Sequence, residues 1–209
     1  MKRLIFKGTP GHGSMPYASN NAILKASKAV TLLSKYCDNK IPVNTQYLSD
    51  LVKGMDMNFL ARFMITNKRI LPFTLKILKR REPEMAKLLH ALSRMTISPN
   101  IVKGGTKTNI IATDAQLVLD IRTLPGQDEH YVISHIKKAI GSLAEEVEIV
   151  GVEEEEFMLI GSVSPANSDF VIMMEKAIQK EMPNAKLVPL VAMGRTDGRF
   201  LRIFLSQMR

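Results

Sequence analysis

The sequence predicts an α+β fold in which a four-stranded antiparallel sheet carries two helices on one face. Three observations support this prediction. Apolar side chains follow strand and helix periodicities in the order strand, helix, strand, strand, helix, strand; a helix-rich segment interrupts that series after its first helix; and a short α/β segment follows its last strand. Elements in this order fold naturally as a split βαβ, or ferredoxin-like, arrangement of one sheet and two helices.

The first half of the series is a strand followed by an amphipathic helix. Residues 3–7 contain the apolar run Leu4-Ile5-Phe6, which predicts the first strand. Between residues 20 and 36, small and aliphatic side chains recur at helical spacing with lysines between them. This pattern predicts a helix whose N-cap is Ser19 or Asn20.

The second half supplies the other three strands and the second helix. Residues 98–102 predict the second strand, and residues 114–123 alternate in polarity as a half-buried third strand does. Residues 127–143 carry an apolar stripe at helical spacing, and residues 146–152 return to alternation as the fourth strand.

A basic, helix-rich insertion of about residues 40–97 separates the first helix from the second strand. Its segments 59–65 and 71–81 combine apolar and basic side chains. Such helices either lie on an acidic membrane surface or pack with an apolar face on neighbouring structure. We expect packing on the sheet domain or on a partner subunit, so the prediction disfavours membrane contact.

The pattern changes again in residues 158–209. A helix is predicted from 170 to 180, Pro183-Asn184 ends it, and residues 187–191 predict an apolar strand. Such a strand needs a larger sheet to pair with. We therefore expect this segment to belong to a second domain.

Composition places the chain among soluble globular proteins. Of its 209 residues, 45% are hydrophobic and 23% are charged, and no apolar stretch is long enough to span a bilayer. A single cysteine, Cys37, excludes an internal disulfide and fits a reducing compartment. The apolar run that follows the basic start is interrupted by Lys7 too early for a signal peptide. These features predict a cytoplasmic protein.

The formal net charge of +9 comes mostly from one segment. Residues 53–94 contain ten basic and three acidic side chains. A nucleic-acid-binding segment would interleave such charge with stacking aromatic side chains. Here the aromatic residues are Phe59, Phe63 and Phe73, at positions that indicate an apolar helical face. The sequence therefore predicts no nucleic-acid partner.

One histidine is presented on a glycine-rich and proline-rich loop. His12 stands between Gly11 and Gly13, just after the first strand, and prolines 10 and 16 flank the loop. An imidazole in this setting can stabilise charge or move a proton near neutral pH. A turn histidine without a chemical role has the same local pattern, so this segment alone leaves both alternatives open.

Two distant segments extend the pattern. Residues 104–111, Gly-Gly-Thr-Lys-Thr-Asn-Ile-Ile, lead into residues 114–127, and a third segment, Gly-Arg-Thr-Asp-Gly-Arg-Phe-Leu-Arg, spans residues 194–202. In order and spacing, the three segments together resemble the zinc metallopeptidase and amidohydrolase family of aminoacylase, acetylornithine deacetylase, succinyl-diaminopimelate desuccinylase and glutamate carboxypeptidase. The resemblance implies that residues 1–157 form the family's dimerisation, or lid, domain. It implies that residues 158–209 are a partial C-terminal segment, a short α/β remnant, of the catalytic domain.

The resemblance also implies roles for five residues. His12 would extend into the active site of the partner subunit and stabilise the oxyanion of the tetrahedral intermediate. Asn109 would hydrogen-bond the substrate, and Arg122 would bind its carboxylate. Gly194 and Thr196 would let the backbone approach the substrate, although Arg195 replaces a glycine that is usual in the family.

Each role has a structural alternative. His12 and Asn109 can be ordinary loop and turn residues, and Arg122 can simply pair with Asp120 or Asp128 at the end of its strand. The combination of the three segments favours the functional roles.

The family's metal ligands are not found in this sequence. Two zinc ions in the family activate a water molecule, and their ligands are a His-x-Asp, a bridging Asp, a Glu-Glu pair and a late His. The run Glu153–Glu156 imitates the Glu-Glu pair, but it follows the last predicted strand and indicates a solvated acidic segment. We therefore expect both ends of the family's catalytic part to lie outside this sequence. We also expect this chain alone to bind no zinc and to be inactive.

Two functions remain open at this stage. In the first, the chain is a fragment of a zinc-dependent hydrolase that cleaves the amide bond of an N-acyl amino acid or small peptide, and it supplies the homodimer contact and substrate-binding residues. In the second, it is a free-standing, catalytically inactive dimerisation module.

Overall fold

The computed structural model describes residues 1–152, 164–165 and 168–192. These residues form two compact units, one of residues 1–41 and 95–152 and one of residues 42–94 with the described residues from 164 onward. Four strands form one sheet: β1 (Lys2–Lys7), β2 (Thr96–Gly104), β3 (Asp114–Arg122) and β4 (Val147–Gly151). Seven α-helices accompany them: α1 (Ala22–Asn39), α2 (Gln46–Lys53), α3 (Phe59–Thr66), α4 (Leu71–Arg81), α5 (Pro83–Ser93), α6 (Glu129–Ile140) and α7 (Asp169–Glu181).

The sheet has the strand order β2-β3-β1-β4, and every neighbouring pair is antiparallel. Leu4 lies opposite Leu117 on β3 and Ile149 on β4, which makes β1 an inner strand. The register between β2 and β3 shifts between Pro99 and Ile101. Proline lacks a backbone donor and is tolerated on an edge strand such as β2. The predicted α+β fold with its four-stranded antiparallel sheet is confirmed.

One face of the sheet packs against α1 and α6. Leu4 and Phe6 of β1 are fully buried, as are Leu117 and Leu119 of β3, whereas the residues between them are partly exposed. Helix α1 contributes the small residues Ala22, Ala26 and Ala29 to the same core, and α6 contributes larger side chains. The core members from α6 and the 3₁₀ helix Gly141–Glu145 that follows it are Val132, Ile136, Ala139, Ile140 and Leu143.

The start of α1 differs from the prediction. The N-cap is Asn21, whose side-chain oxygen accepts a hydrogen bond from the Ile23 N–H at 2.9 Å. The predicted caps, Ser19 and Asn20, lie outside the helix. The carbonyl of Asn20 instead accepts a hydrogen bond from the Thr9 N–H at 2.9 Å. The sequence offers three adjacent polar residues as caps, at positions 19, 20 and 21, and local pattern does not rank them. The backbone contact between Asn20 and Thr9 places Asn20 before the helix and leaves Asn21 as the cap.

Helices α2 to α5 form the core of the second unit, as the helical periodicity of the insertion predicted. Their apolar sides meet in a separate cluster of buried residues: Leu48, Val52, Ile65, Leu71, Leu75, Ala86, Leu89 and Leu92. Helix α2 lies within this insertion but ahead of the two segments, 59–65 and 71–81, whose apolar and basic pattern the sequence shows.

The predicted strand at residues 187–191 is wrong, because these residues have no regular secondary structure. Pro189 has no backbone donor for a sheet, and Val191 packs against the core of the second unit instead. The predicted helix before it is present as α7. The assignment of residues 1–157 and 158–209 to a lid and a catalytic domain stays a prediction. None of the described helices is long and apolar enough to cross a bilayer.

Candidate functional site

The loop that carries His12 leaves β1 through a tightly packed glycine. The Gly8 N–H donates to the Thr113 carbonyl at 2.7 Å, which ties the end of β1 to the segment before β3. A Cβ on Gly8 would overlap the carbonyl oxygen of Asn20 and lie 2.7 Å from that of Ala112. Two backbone segments therefore approach this position so closely that only glycine fits.

Backbone hydrogen bonds hold the His12 loop beside the segment that contains Asn109. His12 forms an isolated β-bridge with Ile110, the Gly13 N–H donates to the Asn109 carbonyl at 2.8 Å, and the Ile111 N–H donates to the Gly11 carbonyl at 2.8 Å. Both His12 and Asn109 are exposed. The structure thus brings together two of the predicted site residues that are 97 positions apart in the chain.

Ser14 orients the imidazole of His12. Its backbone N–H lies 3.3 Å from Nδ1 of His12 and points to it, and its hydroxyl Oγ lies 2.7 Å from the same nitrogen. Because a nitrogen that accepts an N–H hydrogen bond carries no proton, this contact favours the Nε2–H tautomer over the Nδ1–H tautomer. The nitrogen away from Ser14 is then a hydrogen-bond donor.

An ion pair joins the strands beneath this loop. Lys7 Nζ lies 2.7 Å from Asp114 Oδ1, at the end of β1 and the start of β3. The hydrogen bond from Lys7 lowers the pKa of Asp114, and the same hydrogen bond raises the pKa of Lys7. Both groups are solvent-exposed, so the pair contributes to local orientation more than to stability.

Arg122 lies at the opposite end of β3. Eight residue steps separate it from Asp114, which corresponds to about 27 Å along an antiparallel strand. Its Nε and Nη2 bind Asp120 Oδ1 and Oδ2 at 2.9 and 3.1 Å, and the side chain remains about half exposed. The pairing with Asp120 that the sequence analysis kept as an alternative is therefore present. Within one chain, Arg122 is not near His12 and Asn109.

The remaining predicted site residues cannot be placed. Gly194 and Thr196, as well as the acidic run Glu153–Glu156, lie outside the described residues. Their roles stay predictions from the resemblance.

The described part of the chain does not fit a metal site. Within residues 1–152, 164–165 and 168–192, no three or more side chains of His, Cys, Asp or Glu are grouped so that they could hold a metal ion. The described residues can therefore supply hydrogen-bond donors and positive charge to a reaction, but not a metal centre.

Ser14 is the residue of this site to which sequence reasoning gave no role. A serine two positions after a loop histidine can reach the imidazole, and this short spacing is the signal that could have identified it. The sequence pattern could not show that both its hydroxyl and its N–H face Nδ1, because that depends on the turn that follows His12. The Met15 N–H closes this turn by donating to the His12 carbonyl at 2.9 Å.

The fold and the site define a class of protein: a two-layer α+β domain with an exposed, oriented histidine on a loop at one end of its four-stranded sheet. The family model of the peptidase dimerisation domain (M20 dimerisation domain) matches residues 2–148. The chain belongs to this family.

Known relatives are longer than this chain. It is 26% identical over 190 residues to the probable carboxypeptidase S-like 2 of Dictyostelium discoideum, covering 90% of this chain and 34% of that protein. The M20 family metallo-carboxypeptidase Sso-CP2 of Sulfolobus solfataricus superposes with a TM-score of 0.55 at 19% identity, over 96% of this chain and 53% of the other. The di-peptidase Dug1p of Saccharomyces cerevisiae superposes with a TM-score of 0.52 at 14% identity, over 89% and 42%. The chain thus spans about a third to a half of these proteins.

Proposed function

We propose that this chain supplies the dimerisation lid of a cytoplasmic, zinc-dependent hydrolase that cleaves the amide bond of an N-acyl amino acid or small peptide. Membership of the peptidase dimerisation family supports a role in a hydrolase. The single observation that carries the proposal is the exposed loop on which His12, oriented by Ser14, is hydrogen-bonded beside Asn109. The two zinc ions of the complete enzyme would be bound outside the described residues, which hold no candidate ligand group.

His12 would act as an electrophilic donor. With Nδ1 engaged by Ser14, the Nε2 proton is available to the oxyanion that forms when the amide carbonyl is attacked. A preorganised donor of this kind contributes about 3 to 4 kcal/mol to transition-state stabilisation. Asn109 would hydrogen-bond the substrate from the same loop pair, which orients it relative to His12.

Arg122 would bind the substrate carboxylate. Two contacts with Asp120 orient its guanidinium, and its side chain is about half exposed. This interaction exists in the ground state, in contrast to that of His12.

The separation of these residues supports a homodimer. The His12 loop pairs with the segment that precedes β3, whereas Arg122 ends β3, about 27 Å along the strand from Asp114. A small acylated amino acid therefore does not reach both residues within one chain. A two-fold pair of lids can bring His12 of one subunit and Arg122 of the other to the same substrate. We therefore propose that each active site is composite.

The surface for this pairing would be the edge of the sheet. On edge strand β2, Ile101 and Val102 are 46% and 53% exposed, and on α1 Leu24 is 64% exposed. Helix α1 and strand β2 are in contact here. The Ile23 side chain lies against Gly104, where its Cγ1 would be 3.1 Å from an added Cβ. An exposed edge strand with apolar side chains readily pairs with another strand.

The test is subunit complementation in a full-length enzyme that contains these residues. His12→Ala should lower kcat by about two to three orders of magnitude with little change in KM, whereas Arg122→Ala should mainly raise KM. The two variants are mixed, and activity is measured at a substrate concentration well below the KM of Arg122→Ala, where both are impaired. After subunit exchange, both substitutions fall at one site of the heterodimer. The other site then carries an intact His12 and an intact Arg122.

Activity restored toward a quarter of the wild-type level would support the composite site, because half of a random dimer mixture is heterodimer and half of its sites are intact. Proven subunit exchange without recovered activity would show that the two residues serve the same subunit's site or different functions. A substrate with its carboxylate amidated gives an internal control, since its turnover should respond to His12→Ala but hardly to Arg122→Ala.

A further inference from the structure

Helices α3 and α4 expose apolar side chains that the proposed function does not use. Phe59 and Leu60 on α3 are 83% and 64% exposed, and Phe73 on α4 is 63% exposed. Phe63 and Ile77, one turn further along their helices, are partly exposed as well. These five residues define what we call the α3–α4 surface. The helical spacing predicted that this apolar face is packed, but in the chain it is accessible.

The exposed side of each helix lies opposite its buried side. Ile65 of α3 and Leu71 and Leu75 of α4 face the core of the second unit. The two helices run side by side, since the Thr74 hydroxyl donates to the Met64 carbonyl at 3.1 Å. The rings of Phe59 and Phe63 stack at 6.4 Å, which gives α3 a continuous aromatic ridge. The exposed sides of both helices therefore face away from the core of the second unit.

Positive charge surrounds this apolar surface. Residues 57–81 contain seven basic and no acidic side chains. The seven are all exposed, and none has an ion-pair partner within the described part of the chain: Arg62, Lys68, Arg69, Lys76, Lys79, Arg80 and Arg81. Lys76 and Arg80 alternate with Phe73 and Ile77 along the outer side of α4. Apolar and cationic groups thus share one surface.

We propose that the α3–α4 surface docks on an anionic phospholipid bilayer. Phenylalanine and leucine side chains can enter the headgroup and acyl boundary while the long stems of Lys and Arg extend to the lipid phosphates. The acidic leaflet complements seven cations that have no ion-pair partner in the described chain, each contributing to attraction near the surface. A dry protein interface would have to desolvate the same charges, which is unfavourable unless every one is paired.

The proposed contact lies on the bilayer and does not span it. Helices α3 and α4 have 8 and 11 residues, corresponding to about 12 and 16 Å of helix length, which is short of the hydrocarbon thickness. The contact also does not depend on the proposed hydrolase function, because it uses none of His12, Asn109 and Arg122.

Co-sedimentation of the 209-residue chain with vesicles tests the proposal. We expect binding to vesicles of phosphatidylcholine with about 30% phosphatidylserine that is at least about tenfold tighter than to pure phosphatidylcholine. Raising the salt from about 0.1 M to about 0.5 M should weaken it strongly. The double variant Lys76→Glu/Arg80→Glu should weaken binding at least about thirtyfold, and Phe59→Ser/Phe63→Ser at least about tenfold.

Matched variants elsewhere provide the controls. Lys28→Glu/Lys137→Glu reverses the same charge on exposed sites of the first unit, and Phe170→Ser/Met173→Ser removes apolar side chains that are 69% and 66% exposed on α7. Both controls should retain binding within about twofold, since α7 also carries Asp169, Glu175 and Glu181. Circular dichroism verifies that each variant is folded.

Three results would overturn the proposal. The first is no binding to acidic vesicles, and the second is equal binding to neutral vesicles. The third is loss of binding in the control variants to the same extent as in the α3–α4 variants. Concentration-dependent self-association that is abolished by Phe59→Ser/Phe63→Ser, without vesicle binding, would assign the surface to a second copy of the chain instead.

Discussion

At the scale of single residues, two histidines illustrate opposite uses of the same side chain. His12 is exposed on a loop, whereas His135 on α6 is only 6% exposed. The Tyr36 hydroxyl and His135 Nδ1 are 2.6 Å apart, and the Tyr131 ring lies 4.3 Å from the imidazole. Burial lowers the pKa of His135, and the nearby charge of Lys138 lowers it further. His135 is therefore a neutral core residue near pH 7.

This pKa shift predicts a loss of stability in mild acid. The unfolded chain takes up a proton at the ordinary histidine pKa of about 6.5, whereas the folded chain does so only at lower pH. The contribution of neutral His135 is thus fully present above about pH 6.5 and is lost as the pH falls through the lower folded pKa. Urea unfolding followed by circular dichroism between about pH 7.5 and 5.0 should show this decline.

His135→Gln should flatten the pH dependence, because glutamine can still hydrogen-bond Tyr36 but does not titrate. The matched control is His130→Gln, an exposed position of the same helix, which shows the effect of replacing a histidine outside the core. An unaltered slope in His135→Gln would mean that other groups cause the acid sensitivity.

At the scale of secondary-structure elements, the start of α1 depends on one side chain. Asn21 accepts the Ile23 N–H at the first turn, and this helix provides five buried residues of the main core. Asn21→Ala should lower the free energy of unfolding by about 1 kcal/mol, since an N-cap hydrogen bond is lost. Asn20→Ala provides the control, because Asn20 uses only its backbone carbonyl here. An equal loss in both variants would indicate that the cap was assigned to the wrong residue.

At the scale of the whole molecule, the edge of the sheet is where we expect a second copy to bind. Val102→Lys places a charge at the centre of the proposed contact on β2 and should weaken self-association on the order of tenfold or more. Leu190→Lys, at a position that is 64% exposed in the second unit, is the matched control. Sedimentation equilibrium of both variants at tens of micromolar measures the dissociation constant of the dimer. Monomer–dimer equilibria that are identical in Val102→Lys and the unmodified chain would exclude β2 as the interface.

The sequence predicted the four strands, α1, α6 and the helical insertion because each has a clear apolar period. In β3, Leu117 and Leu119 alternate with partly exposed residues, and the structure pairs them with β1 and β2. The strand predicted at residues 187–191 is absent, because this run is too short to show a period. Its apolar character reflects packing of Val191 on a helical core, and a short apolar run does not distinguish these outcomes.

The candidate site was predicted in part. The glycine and proline pattern was enough to place His12 on an exposed loop, because these residues restrict the backbone locally. Its contact with the Asn109 segment depends on hydrogen bonds between residues almost one hundred positions apart, and no local pattern specifies such bonds. The orientation by Ser14 depends on the turn geometry after His12, for the same reason.

The sequence by itself determined the four strands of the sheet, the two helices on it, the helical character of the insertion, and the identity of His12, Asn109 and Arg122 as candidates. Periodicity and turn chemistry are local properties, and the three segments carry the family resemblance in their spacing. Only the tertiary structure decided that His12 and Asn109 lie together while Arg122 lies at the far end of β3, and that Phe59 and Phe73 face solvent. Distances and exposure depend on which elements pack together, and an amphipathic pattern does not specify whether a face is covered by the chain itself, by another surface or by water.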